Sequence, residues 1–301
     1  MPNAPKDKQR RPTVSVIGAG RLGAALALAL TRSGYKVEAV VARGAARAKK
    51  AATMLGPSTR PLSAKQLDSL PLSKVLIIST PDDHILETAT AVAKLPANLA
   101  RGRTVLHTSG ALSSVDVLAP LAAKGFHTGS LHPLVSVSEP LTGADKLVAA
   151  FYCVEGDAAA SRVARSIVRR LHGSSFHIAS KDKPLYHAAA VTASGHMVAL
   201  FSVATEMLTR AGLNQKTARR VLLSLLESTV ANLSSSDAAN ALTGTFARGD
   251  LDTVKRHLKA LSGKEFTEAL AAYKVLGRRS LELAKDKIDT NLRAQILREL
   301  D

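Results

Sequence analysis

Read from the amino terminus, the apolar residues first fall in short β-branched runs, each followed by a stretch of helical periodicity. Thr13–Ile17, Lys36–Val41, Lys74–Ser79, Thr104–His107 and Phe126–Leu131 read as strands. Gly20–Arg32, Ala45–Met54, Asp82–Lys94 and Ser113–Lys124 read as the helices between them. Two more strands, Ala149–Val154 and Ser175–Ile178, bracket a helix at Ala158–Leu171. This alternation predicts a doubly wound parallel sheet, because parallel neighbours need a crossover and a helix is its usual form. After Ser180 the pattern changes. Lys181-Asp-Lys-Pro184 is a polar junction, and helical periodicity dominates beyond it: Leu185–Arg210 as one long helix, then Gln215–Leu233, Ser236–Ala241, Leu251–Leu261 and Lys264–Lys285. The predicted organisation is a basic, disordered tail at 1–11, an α/β doubly wound domain at 12–180, and an all-α domain at 181–301.

Length and composition agree with this pattern. A chain of 301 residues suits two domains, and 46% apolar with 22% charged residues is ordinary for globular protein. A single cysteine, Cys153, excludes an internal disulfide framework and suits a reducing compartment. The apolar runs Ala188–Ala193 and Val198–Phe201 are short of a membrane span, and no secretory-type segment opens the chain. A cytoplasmic protein without a membrane partner is expected. The charge changes the picture: 41 basic against 24 acidic residues leave +17. That excess is spread along both halves, and aromatics are only 3%, which argues against nucleic acid as the main partner. Small anionic ligands suit the balance equally well.

Candidate chemistry concentrates at strand ends. Gly18-Ala-Gly20-Arg21-Leu22-Gly23 follows the first strand and opens the first helix, the context a dinucleotide-binding turn requires. Gly18 permits the tight turn, Gly20 lets a pyrophosphate approach, and Gly23 lets helix and sheet pack closely. The second strand ends in Val41-Ala-Arg43-Gly-Ala-Ala-Arg47, without the carboxylate that would bind an NAD ribose. A guanidinium binds a 2′-phosphate that a carboxylate would repel, so NADP(H) is the expected cofactor; the plain alternative is a pair of solvent-facing arginines. Thr80, Ser109 and His132 sit after three further strands, with Thr80 and Asp83 also readable as a helix cap. On the junction helix, Lys183, His187 and Ser194 fall at helical spacing on one face, offering a proton donor and an oxyanion partner, or simply a packing face. Thr243, Gly244 and Arg248 form a glycine-marked turn before Asp250, a natural N-cap. Arg248 suits Asp250 or a substrate carboxylate. No metal-ligand spacing appears.

With those residues in view, the chain resembles oxidoreductases that join a Rossmann-like domain to the helical domain of unknown function 2520. The resemblance rests on Gly18-Ala-Gly-Arg-Leu-Gly23, Thr80-Pro-Asp82, His107-Thr-Ser-Gly110, Leu131-His-Pro-Leu134, Tyr186-His-Ala-Ala-Ala-Val191, Thr243-Gly244 and Arg248-Gly-Asp250. It implies kinship with pyrroline-5-carboxylate, 3-hydroxyisobutyrate and ketopantoate reductases or dehydrogenases, and a homodimer formed by the helical domain. Gly195 and Thr245 depart from the family pattern. The expected activity is NADP(H)-dependent reduction of a small carbonyl or imine acid, ketopantoate-like 2-oxo acids included; a non-catalytic NADP(H)-binding regulator is the alternative. His187, Ser194 and His132 are the expected catalytic residues. Gly18, Gly20, Arg21, Leu22, Gly23, Arg43, Thr80 and Ser109 are expected at the cofactor, and Lys183, Thr243, Gly244 and Arg248 at an anionic substrate.

Overall fold

The computed structural model describes residues 11–96 and 102–301. The expected basic tail lies outside the described residues except for Arg11, whose guanidinium donates to the Ser33 carbonyl. Two compact units divide between Val191 and Thr192.

The first unit runs β1 (Val14–Ile17), α1 (Arg21–Arg32), β2 (Val37–Ala42), α2 (Ala45–Leu55), β3 (Arg60–Ser63), β4 (Val75–Ile78), α3 (Ile85–Ala93) and β5 (Thr104–His107). It continues through α4 (Ser114–Val117), α5 (Ala119–Ala122), β6 (His127–Pro133), α6 (Pro140–Lys146), β7 (Phe151–Gly156), α7 (Ala158–Arg170), β8 (Ser174–Phe176) and α8 (Lys183–Ala193). The strands form one sheet in the order β3-β2-β1-β4-β5-β6-β7-β8. Every pair is parallel except β6–β7, where Gly129 faces Gly156 in an antiparallel register. The central strands are apolar without alternation because both sheet faces are covered. Val14 and Val16 pack with α1, α2 and α7 on one side, while Ile17, Ala39 and Val41 pack with α3 and α5 on the other.

Some elements differ from the sequence expectation for clear physical reasons. β3 carries Pro61, which a parallel sheet tolerates here because β3 lies at the edge. The single helix expected at Ser113–Lys124 is two short ones that part at Leu118, with Pro120 in the first turn of α5. The long helix expected at Leu185–Arg210 is also two. α8 ends at Ala193, Ser194 departs to φ −119°, ψ −69°, and α9 begins at Gly195. A Ser-Gly step is a common place for a helix to break.

The second unit is α9 (Gly195–Arg210), α10 (Gln215–Ser235), α11 (Ala238–Ala241), α12 (Thr245–Arg248), α13 (Leu251–Ala260), α14 (Thr267–Leu283) and α15 (Thr290–Leu300). Asn214, Asp237, Asp250 and Asp289 cap their helices by accepting backbone amides, Asp250 as expected. Its buried core is small, centred on Val254, Leu281, Ile296 and Leu300. Leu223, Leu225, Val230 and Leu233 of α10 stand exposed, as do Val198 and Leu200 of α9 and Val275 and Leu276 of α14. The expectation that no stretch reaches membrane length does not hold for Ser180–Arg210, whose 31 residues are long and apolar enough by length and composition alone.

Candidate active site

A groove of about 450 Å³ opens at the carboxyl ends of β1, β2 and β4. Gly18, Ala19 and Gly20 form its floor, Val41, Ala42, Arg43 and Arg47 one wall, and Ser79, Thr80, Pro81 and His84 another. Gly18 sits at φ +105°, and a Cβ there would lie 2.5 Å from the Ser79 carbonyl. A Cβ on Gly23 would lie 2.0 Å from the Gly18 oxygen, so this glycine sets how closely α1 meets the turn. Beside Gly20, the N-cap of α1, the space is open, as a pyrophosphate at a helix N-terminus requires. The Thr80 hydroxyl oxygen is buried with no hydrogen-bond partner among the described residues, an unmet polar group on the same groove.

Three expectations about this groove change. Thr80 does not cap the following turn; Pro81 takes the N-cap position and no side chain caps it. Arg21 and Leu22 do not line the groove, because Arg21 opens α1 into solvent and Leu22 packs on the core. Ser109 is not on it either. Its hydroxyl donates to Asp82 at 2.8 Å and accepts the Ala111 and Leu112 amides, so it builds its own loop.

At the ends of β5 and β6 and the start of α8, three rings and a loop converge. His132 Nδ1 hydrogen-bonds the Tyr186 hydroxyl at 2.7 Å, and the His132 and His187 rings meet edge to face at 5.8 Å. Gly110 lies so close that a Cβ would stand 2.5 Å from His187 Cδ2 and 2.8 Å from His132 Cε1. Burial, then His187, then Lys183 lower the His132 pKa to about 4, so its ring is neutral at pH 7. The His187 nitrogens have no hydrogen-bond partner among the described residues. Lys183, expected at a substrate, is fully buried. Its ammonium donates to Ser130 Oγ at 2.9 Å and to the Ser109 carbonyl at 3.3 Å, and pairs with Glu155 at 3.4 Å.

The remaining expected residues belong to the second unit. Ser194 is exposed at the helix break. Thr243 is exposed, Gly244 takes φ +84° as N-cap of α12, and Arg248 reaches Asp250 at 3.9 Å. No group of three or more metal-ligating side chains occurs among the described residues.

Residues 1–133 match the family model of a Rossmann-like domain, and residues 150–280 match that of domain of unknown function 2520, DUF2520. The chain joins a Rossmann-like domain to a DUF2520 domain. No curated protein matches this Rossmann–DUF2520 chain. Solved structures share its fold at low identity. A Bacteroides fragilis protein described as a candidate NADP oxidoreductase is 20% identical, with TM-score 0.72, over 90% of this chain and 98% of that one. A reductive aminase from Aspergillus terreus, in complex with NADPH and ethyl levulinate, is 18% identical with TM-score 0.64 over 95% and 98%. Pyrroline carboxylate reductase from Plasmodium falciparum, with NADP bound, is 11% identical with TM-score 0.56 over 91% and 98%.

Sequence reasoning passed over Glu155, and read Asp82 and Tyr186 only as parts of motifs, without their contacts to Ser109 and His132. Glu155 carried a usable signal. A carboxylate at the end of the apolar run Tyr152-Cys-Val-Glu155 is a candidate for burial, and a buried carboxylate needs a cation.

Proposed function

We propose that the chain is an NADP(H)-dependent oxidoreductase that reduces a small carbonyl or imine acid. The observation that carries this reading is the groove at β1, β2 and β4. It combines a glycine turn open at Gly20, a buried Thr80 hydroxyl lacking a partner, and two arginines where a ribose phosphate would lie. These residues fit a dinucleotide phosphate. Arg43 and Arg47 would hold the 2′-phosphate, and the α1 N-terminus the pyrophosphate. The structural neighbours crystallised with NADPH or NADP support the same cofactor.

Bound NADPH would supply the hydride. The chain's own part is the proton. His187, half-buried with free ring nitrogens, is the donor in this reading, and the neutral His132, held by Tyr186, fixes its neighbour's position. Lys183 is committed to its ion pair and is not free for a substrate carboxylate. A second copy covers the exposed apolar side chains of α9, α10 and α14, giving a homodimer.

The test is a panel of 2-oxo acids and cyclic imine acids, followed by loss of NADPH absorbance. At least one should turn over, and His187→Ala should cost about 10²–10⁴ in rate while leaving NADPH affinity within a few fold. An unchanged rate moves the proton to Ser194, His132 or water. Tight NADPH binding without turnover of any member favours the regulatory alternative.

A further inference from the structure

The described residues hold one fully buried ion pair, and its connections are unusual. Lys183 and Glu155 are at most 2% exposed, and each holds a different end of one loop. Lys183 Nζ takes the Ser109 carbonyl at 3.3 Å. Glu155 takes the Ser114 amide at 2.8 Å and the Ser114 hydroxyl at 2.9 Å. The loop Ser109–Ser114 is thus fastened at its first and last residues by two charges that also face each other at 3.4 Å. Ser130 Oγ, 2.9 Å from Nζ, ties the pair to β6, the strand that carries His132. His187 lies one turn along α8 from Lys183, on the same face.

We propose that the Lys183–Glu155 pair is a positioning device that clamps the Ser109–Ser114 loop so that Gly110 fixes the His132 and His187 rings. Gly110 is where the clamp acts. With a Cβ position only 2.5 Å from His187 Cδ2 and 2.8 Å from His132 Nε2, the backbone has no slack against either ring. Any shift of the loop moves both rings. The cost of burying two charges suits such a role, because a hydrophobic pair of similar volume would hold the core together as well. Burial lowers the Lys183 pKa, and the charge of Glu155 beside it pulls the other way, favouring the ammonium. His107, whose Nδ1 accepts the Ser109 amide at 3.2 Å, braces the same loop from beneath. The placement stands on geometry alone; its consequence for turnover rests on the reductase reading.

The experiment reads the rings directly. Imidazole carbon–proton NMR signals of His132 and His187, assigned through His132→Gln and His187→Gln, are compared in the full chain and in the charge-neutral double variant Lys183→Met/Glu155→Gln. The double variant should keep its far-ultraviolet circular dichroism and bind NADPH within about twofold, since neither residue lines the groove. Both ring signals should move while those of His84 and His257 stay. Gly110→Ala, which pushes on the rings without touching the pair, should move the same two signals. In the unmodified protein the Ser114 amide should exchange as slowly as core strand amides. Unmoved ring signals in a folded double variant overturn the proposal, and so does fast exchange at Ser114, which needs no variant. If a substrate is found, kcat should fall about 10–100-fold in the double variant with a smaller change in KM. If none is found even for the unmodified protein, the reductase reading fails while the ring signals still decide the clamp.

Discussion

Replacing Arg43 by alanine should remove part of the discrimination between NADPH and NADH. Arg43 stands one residue past the end of β2, and Arg47 lies four residues on, in the first turn of α2. Both line the groove, so both can face one phosphate. A charge-assisted hydrogen bond to such a group is worth about 1.5–3 kcal/mol. Both side chains are exposed, and solvent and salt screen them, which lowers the figure to about 1–2 kcal/mol. That is a loss of about 5–30-fold in NADPH affinity for either single variant. The two arginines act on one group, so the double variant should fall short of the product. NADH, lacking the phosphate, should change by no more than about twofold. Calorimetry with both nucleotides, at low and at physiological salt, gives the four affinities needed, and the NADPH loss should shrink as salt rises. Equal affinities for NADPH and NADH in the unmodified protein would refute the assignment, as would an Arg43→Ala loss of the same size for both nucleotides.

Gly18→Ala forces a side chain into φ +105° against the Ser79 backbone, and should lower stability by about 2 kcal/mol or more together with loss of nucleotide binding; an unchanged melting temperature would contradict the turn's role. His107 and His132 have folded pKa values of about 3 and about 4, both below the ordinary 6.5. The unfolded chain therefore binds more protons between about pH 4 and 6.5. Their contribution to stability is complete above about pH 6.5 and is lost as pH falls through that window, at up to about 1.4 kcal/mol per pH unit for each histidine. Urea midpoints at pH 7 and pH 5 should differ in that direction, and a His107→Gln protein should show a flatter slope. Light scattering should find a dimer at micromolar concentration, with Leu225→Glu weakening it; a monomer throughout would exclude the twofold partner.

The central sheet was legible because β1, β2 and β4 are dominated by β-branched apolar residues and the stretches between the strands carry a helical period. β3 was not, since a four-residue edge strand with a proline carries too little apolar signal and only Leu62 of it is buried. The break at Ser194 was hidden by the apolar residues of Ala188–Ala193 and Val198–Phe201, which keep a helical pattern running through a point where the backbone turns. α15, Thr290–Leu300, lay beyond the last expected helix although Ile296 and Leu300 fill the second unit's core. The glycine turn and the arginines of the groove could be read in advance because their chemistry is local. Lys183 could not. Its spacing placed it beside His187, but only the fold shows that it points inward to Glu155 on a strand 28 residues earlier. The contacts of Ser109 were not legible for the same reason, since a hydroxyl at a strand end serves a ligand or its own loop with the same sequence.

Binding of a pyridine dinucleotide in the groove at β1, β2 and β4 is read out by melting of the whole chain with NADPH, NADP⁺, NADH and NAD⁺. At a hundredfold excess over Kd, NADPH should add about 2.7 kcal/mol to the folded state. For a unit of this size that is a rise of roughly 5–10 °C, larger for the phosphorylated nucleotides than for NADH or NAD⁺ and lost in Gly18→Ala. No shift with any of the four would show that the groove does not bind a pyridine dinucleotide.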